Sequence, residues 1–175
     1  MRKTFVLVLA CIITVQTTIA TSQTRRRGTS SRSATAAKAA AEKSSAEIKA
    51  GRERIAAQIK TLTYFIYLLG GIAKEIESVD HAISNHEASP VAVEQNERNK
   101  TKVRDSIRNV REGLDKLEID FRAGASLKYY YTYLAGVASA AATAENQATA
   151  NRLDDAGRSL LKVVAQLADT LAAMR

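Results

Sequence analysis

Residues 62–76 read LTYFIYLLGGIAKEI, the most apolar stretch after the first twenty residues, with Gly70 and Gly71 side by side where a helix would run. Three readings compete: a membrane segment, a break between two helices, or the middle of a packed helix. The uncharged run at its centre, Thr61 to Ala73, is thirteen residues between Lys60 and Lys74, whereas a bilayer needs about 20. The surrounding periodicity decides between the other two. Ile48, Ile55, Leu62, Leu69, Ile76 and Ile83 recur every seven residues; Ile59, Ile66 and Ala73 lie four after successive members, and Phe65, Ile72 and Val79 three after. Such spacing draws one broad apolar face along a single helix. The phase crosses the glycines without slipping, so a continuous helix is expected. Each glycine costs roughly 1 kcal/mol of helix propensity against Ala. A close approach of two helix backbones would offset that, and Gly70 and Gly71 are therefore expected at the tightest packing point.

The helix boundaries follow from caps and phase. Ser89-Pro90 closes the first element and opens the second, Pro being favoured at the first helical position after a capping Ser. Val103, Ile107, Val110, Leu114, Leu117 and Phe121 alternate four and three apart up to Gly124. A third stripe, Tyr130, Leu134, Val137, Ala141, Ala144 and Ala148, leads in phase to Asn151, Asp155 and Arg158, which do not belong in a core. A new register starts with Leu153, Gly157, Leu160, Val164, Leu167, Leu171 and Met174. The change of phase predicts a turn near 148–151, with Asn151 as cap and Asp154 as third helical residue. The expected helices are about 36–87, 90–122, 126–148 and 152–174.

The fold class expected is therefore all-α: an antiparallel, up-down-up-down four-helix bundle with a long first helix. The alternative is three long helices, the last of them bent. Folding the second helix back from Pro90 ends it beside about residue 52 of the first. On the same reckoning the third helix rises with 129–144 beside 58–73, which brings Ala138 to Ala144 near Gly70 and Gly71.

The composition agrees. The chain has 175 residues with 1 Pro, 8 Gly, 0 Trp and 5% aromatic residues, so the core must come mainly from Leu, Ile, Val and Ala. Arg2 and Lys3, the apolar run Phe5 to Val15 and the small-residue motif Thr18-Ile19-Ala20 read as a secretory signal peptide over 1–20. The one cysteine, Cys11, falls inside it, with the apolar run continuing to Val15, which argues against lipid anchoring there. Without those residues the formal charge of +8 becomes +6, through loss of Arg2 and Lys3, and no thiol remains for disulfides or thiolate chemistry. Residues 21–33, TSQTRRRGTSSRS, are Ser/Thr-rich with Arg25, Arg26 and Arg27 and read as a disordered basic arm. The bundle domain is then 34–175, in a protein exported to the periplasm or beyond the cell.

No reaction chemistry is spelled out. The only histidines, His81 and His86, are five apart and point about 140° away from each other on a helix. Glu77 and His81 are four apart, but no second pair of ligand type accompanies them. There is no Gly-rich phosphate loop, nucleophile elbow or His-Glu-x-x-His. No enzyme activity, cofactor, metal or small-molecule substrate is expected. The residues singled out for contact are Arg25, Arg26 and Arg27 in the arm, Lys100, Arg104 and Arg111 flanking the second helix's seam, and Tyr129, Tyr131 and Tyr133 in the run YYYTY. The expected function is an exported, non-enzymatic scaffold, adaptor or chaperone-like binder whose partner is protein, a second copy or another envelope protein. The alternative is a basic protein that binds anionic surfaces: nucleic acid, acidic polysaccharide or membrane.

Overall fold

A computed structural model describes the backbone of residues 29–175 and the side chains of residues 35–175. The segment expected as a signal peptide, Cys11, Arg25 to Arg27 and the first part of the expected arm lie outside the described residues. The described chain is all helix and turn, with α1 at Thr29–Ser84, α2 at Pro90–Ala123, α3 at Lys128–Leu134, α4 at Val137–Thr149 and α5 at Leu153–Ala173. α1 begins five residues inside the segment expected as a disordered arm: 29–33 already continue the Ala-rich helix that follows.

Residue pairs fix the directions of the four rods. Arg54 of α1 meets Asp120 near the end of α2, while Asp80 near the end of α1 meets Lys100 near its start. Glu145 of α4 takes Arg108 and Arg111, and Glu118 of α2 reaches Gly136 and Ala138. Ser159 of α5 donates to Gln147, and Gln166 reaches the carbonyls of Tyr133 and Ala135. Each rod therefore runs against the one before it, and α1 against α5. α3 and α4 together form the third rod.

The core follows the seven-residue phase. Ile55, Leu62, Leu69, Ala73 and Ile76 of α1 are buried with Val103, Ile107, Leu114, Leu117 and Phe121 of α2. Leu134, Val137, Ala141, Ala144 and Ala148 supply the third rod's share as expected. Ser89 caps α2, its Oγ accepting from the Ala92 N–H at 3.2 Å.

Four expectations are corrected. First, the third rod packs on α2 and α5 and stands diagonal to α1, so Ala138 to Ala144 do not meet Gly70 and Gly71. A Cβ at either glycine would have nothing within 4 Å. The close approach occurs at Gly51 instead, where a Cβ would stand 2.8 Å from Leu127 Cδ2 and 3.2 Å from both Phe121 Cζ and Met174 Cε. Second, α5 buries Leu153, Ala156, Leu160, Val163, Leu167 and Thr170, with Met174 just after its end, leaving Gly157, Val164 and Leu171 at the edge of the seam. Apolar neighbours at 160–161 and 163–164 let either register look complete. Third, Asn151 does not cap α5. It takes the left-handed conformation, φ 60°, that turns the chain, and the cap position is Arg152 without a side-chain bond. Fourth, the third rod is broken. Gly136 has φ 95° and separates α3 from α4.

That break leaves orphan backbone groups, and neighbouring rods satisfy them. Glu118 accepts from the N–H groups of Gly136 and Ala138 at 3.0 and 2.8 Å, giving α4 the acidic cap its own sequence lacks. Gln166 Nε2 donates to the carbonyls of Tyr133 and Ala135 at 3.1 and 2.9 Å.

Candidate interaction surfaces

The residues expected to meet anions are placed first. Lys100 is 8% exposed, and its ammonium donates to Asp80 at 2.7 Å and Glu97 at 2.9 Å. Arg104 reaches the Ala148 carbonyl, among the last acceptors of α4, at 3.5 Å. Arg111 and Arg108 both grip Glu145, at 2.6 and 3.0 Å. Lys100 and Arg111 are thus neutralised inside the bundle, because positions flanking a seam are the ones a neighbouring rod's carboxylates reach. The sequence puts these cations beside the seam but does not show their partners on other rods, Asp80, Glu145 and the Ala148 carbonyl, which lie 20 to 44 residues away.

Asp80 is the hub of the polar end. It accepts from Asn96 at 2.6 Å, Lys100 at 2.7 Å and Asn151 at 2.9 Å, which ties α1 to α2 and to the turn before α5. Burial alone would push its carboxyl up; the hydrogen bonds from Lys100, Asn151 and Asn96, with the Lys100 charge, outweigh that and hold it below its ordinary value. Burial likewise pulls Lys100 down, and its bonds to Asp80 and Glu97 raise it above the usual lysine value. Hydrogen bonds from Arg108, against opposing burial, and from Arg111 hold Glu145 down. Beside Asp80 a polar cavity of about 290 Å³ is lined by Glu77, Arg152, Asp154, Asp155 and Arg158. Its charges are largely paired, Asp155 lying 3.7 Å from Arg152 and 3.3 Å from Arg158. Among the described residues no three His, Cys, Asp or Glu side chains gather as a metal site. The His81 ring takes Asn85 as its neighbour at 3.2 Å.

The tyrosine run divides by the helical turn. Tyr130 and Tyr131 pack against the core, whereas Tyr129 and Tyr133 are exposed and stack edge-on with ring centroids 6.1 Å apart.

A larger exposed aromatic surface lies on α1. With Leu62 and Leu69 buried, the helical turn points Tyr64, Tyr67, Leu68 and Gly71 away from the bundle. Tyr64 is 65%, Tyr67 79% and Leu68 41% exposed. Two grooves flank this ridge. One, about 310 Å³, is lined by Ile66, Leu69 and Gly70 with Leu153, Gly157 and Leu161 of α5. The other, about 220 Å³, is lined by Phe65 and Ile72 with Val103 of α2. α1 includes a window apolar enough to cross a membrane by length and composition, and 17% of it is buried in the bundle. The thirteen-residue uncharged run alone did not meet that measure. The sequence signal for this surface was present in the opening stretch: its apolar residues run all round the helix, more than one seam needs.

No protein-family model, no curated protein and no solved structure matches this chain.

Proposed function

We propose that the protein is an exported, non-enzymatic helical-bundle protein acting as a scaffold, adaptor or chaperone-like binder, and that its working surface is the outward side of α1 between Lys60 and Lys74. The observation that carries this reading is the exposure of Tyr64, Tyr67 and Leu68 on an uncharged stretch of helix. Contiguous aromatic and aliphatic surface left in water marks a contact site more often than scattered apolar residues do. Tyrosine suits the role, since its ring buries area and its hydroxyl stays hydrated. An anion-binding role draws less support, because Lys100 and Arg111 already hold internal carboxylates.

A photo-activatable phenylalanine analogue at position 67, compared in cells with one at Lys162 on the exposed side of α5, tests the proposal. Cross-links concentrated at position 67 are expected. Equal yields at both positions, or none at 67, would remove α1 as the working face.

A further inference from the structure

Resting on that reading of α1, we infer that the exposed ridge pairs with the same ridge of a second copy, the two α1 helices lying antiparallel about a point between Tyr67 and Leu68. The outward positions Ala57, Lys60, Tyr64, Tyr67, Gly71, Glu75 and Ser78 follow one another three or four residues apart, the spacing of a helix–helix seam. A two-fold axis makes such a surface self-complementary or excludes it. Centred between Tyr67 and Leu68, the antiparallel arrangement sets Tyr67 against Leu68 of the second copy. Tyr64 then falls on Gly71, Lys60 on Glu75 and Ala57 on Ser78. Each large residue meets a smaller or apolar one, and each charge meets its opposite, twice over by symmetry. A parallel pairing sets Lys60 against Lys60 and tyrosine against tyrosine.

The ridge is prepared for this. Lys60 and Glu75 are both exposed, and neither has a hydrogen-bond or ion-pair partner among the described residues. Gly71 has open space where its Cβ would be and presents no side chain to obstruct an approaching tyrosine ring. The seam from 57 to 78 is about 33 Å of helix.

Sedimentation equilibrium of the full chain, with charge-swap variants, provides the test. At about 100 μM the wild type is expected to be mainly dimer, the range in which an interface of modest area associates. K60E and E75K should each weaken association about tenfold, since each turns two attractions into two repulsions. The double variant K60E/E75K should restore it. All four proteins should keep the same helical circular dichroism, because these side chains make no intramolecular bonds. A monomeric wild type overturns the inference, as does a dimer that neither single variant weakens or that the double variant fails to rescue. Flotation with neutral phosphatidylcholine vesicles separates this failure from that of the function reading. A monomer that floats, and stops floating as Y64S/Y67S, uses the ridge on a lipid surface. A monomer whose position 67 cross-links to a different protein uses it as an adaptor. Either result sinks the second copy as occupant and leaves α1 as the working face.

Discussion

Lys100 Nζ lies 2.7 Å from Asp80 Oδ1, with the lysine side chain only 10% exposed and the aspartate 28%. The same carboxylate also holds Asn96 and Asn151, so one side chain of α1 fastens both the start of α2 and the turn into α5. Removing Asp80 leaves a largely buried ammonium with only the exposed Glu97 carboxylate and leaves the amides of Asn96 and Asn151 without their acceptor, whereas removing Lys100 leaves a partly hydrated carboxylate that keeps two amide donors. The two halves of the pair are therefore unequal. Asp80→Ala is expected to cost about 2–3 kcal/mol and Lys100→Met about 1 kcal/mol. Urea unfolding followed by circular dichroism checks this; equal losses would mean that the amides contribute nothing.

The acid limb of the stability curve should report the same cluster together with Glu145. Both carboxyls are held below their ordinary values in the folded state, by Lys100, Asn151 and Asn96 for Asp80 and by Arg108 and Arg111 for Glu145. A depressed acid stabilises the fold above its unfolded value, about 3.9 for Asp and 4.3 for Glu, and the contribution is lost as pH falls through the lower folded value. Stability should thus fall steeply below about pH 4. D80N/E145Q should start lower at pH 7 and vary less between pH 5 and 2. Lys100 works in the opposite sense: its raised value contributes below the ordinary lysine range, and that contribution disappears as pH rises through the folded value. Melting temperatures measured across pH check both limbs. A double variant as acid-sensitive as the wild type would assign the limb to other groups.

Glycines provide the next contrast. The expected order of sensitivity inverts what the opening stretch suggested. Gly70 has nothing within 4 Å of a Cβ, so Gly70→Ala should stabilise by about 1 kcal/mol through helix propensity alone. Gly51 faces Leu127, Phe121 and Met174, all buried, where the first added carbon already crowds Leu127 at 2.8 Å. Gly51→Val should cost about 2–3 kcal/mol by overpacking and loss of good rotamers. Chemical denaturation of the two variants decides it; a stabilised Gly51→Val would show that the end of the bundle is loosely packed.

Where sequence and structure part company, the causes are particular. Ile48 to Ile83 announce α1 because an exact seven-residue recurrence over five heptads, about ten helical turns, has no other fold to serve. The same phase already turned Gly71 about 200° away from Leu69, so its exposure was legible; the misplacement came from setting the third rod beside α1 rather than across from it. Four rods in a square leave two diagonal pairs, here α1 with the third rod and α2 with α5, and chain length alone does not say which rods those are. The α5 register was ambiguous because Leu160-Leu161 and Val163-Val164 offer apolar residues to two adjacent faces. The ion pairs at Lys100 and Arg111 depend on carboxylates 20 and 34 residues away. Those pairings appear only once the rods are in place.

The break at Gly136 was invisible for a different reason, and it yields the last prediction. Leu134 and Val137, on either side of it, are three residues apart and both fully buried, so the apolar phase passes through the break as though the helix continued. What changes is the backbone: Gly136 has φ 95°, a conformation that costs other residues about 1–2 kcal/mol. A Cβ there would touch nothing within 4 Å, so the cost of Gly136→Ala is conformational rather than steric. Asn tolerates positive φ better than Ala, and Gly136→Asn should fall between the two. Glu118 gives an independent handle, because its carboxylate caps α4 from another rod. Glu118→Ala should cost about 1 kcal/mol, as loss of a helix cap does. The two losses should not add, since a chain that straightens through position 136 no longer presents free N–H groups to Glu118. Thermal melts of Gly136→Ala, Glu118→Ala and the double variant check this, with the single changes worth roughly 2–6 °C each in a chain of this size. Full additivity would mean that the break persists without its glycine, and that Glu118 alone holds α3 and α4 apart.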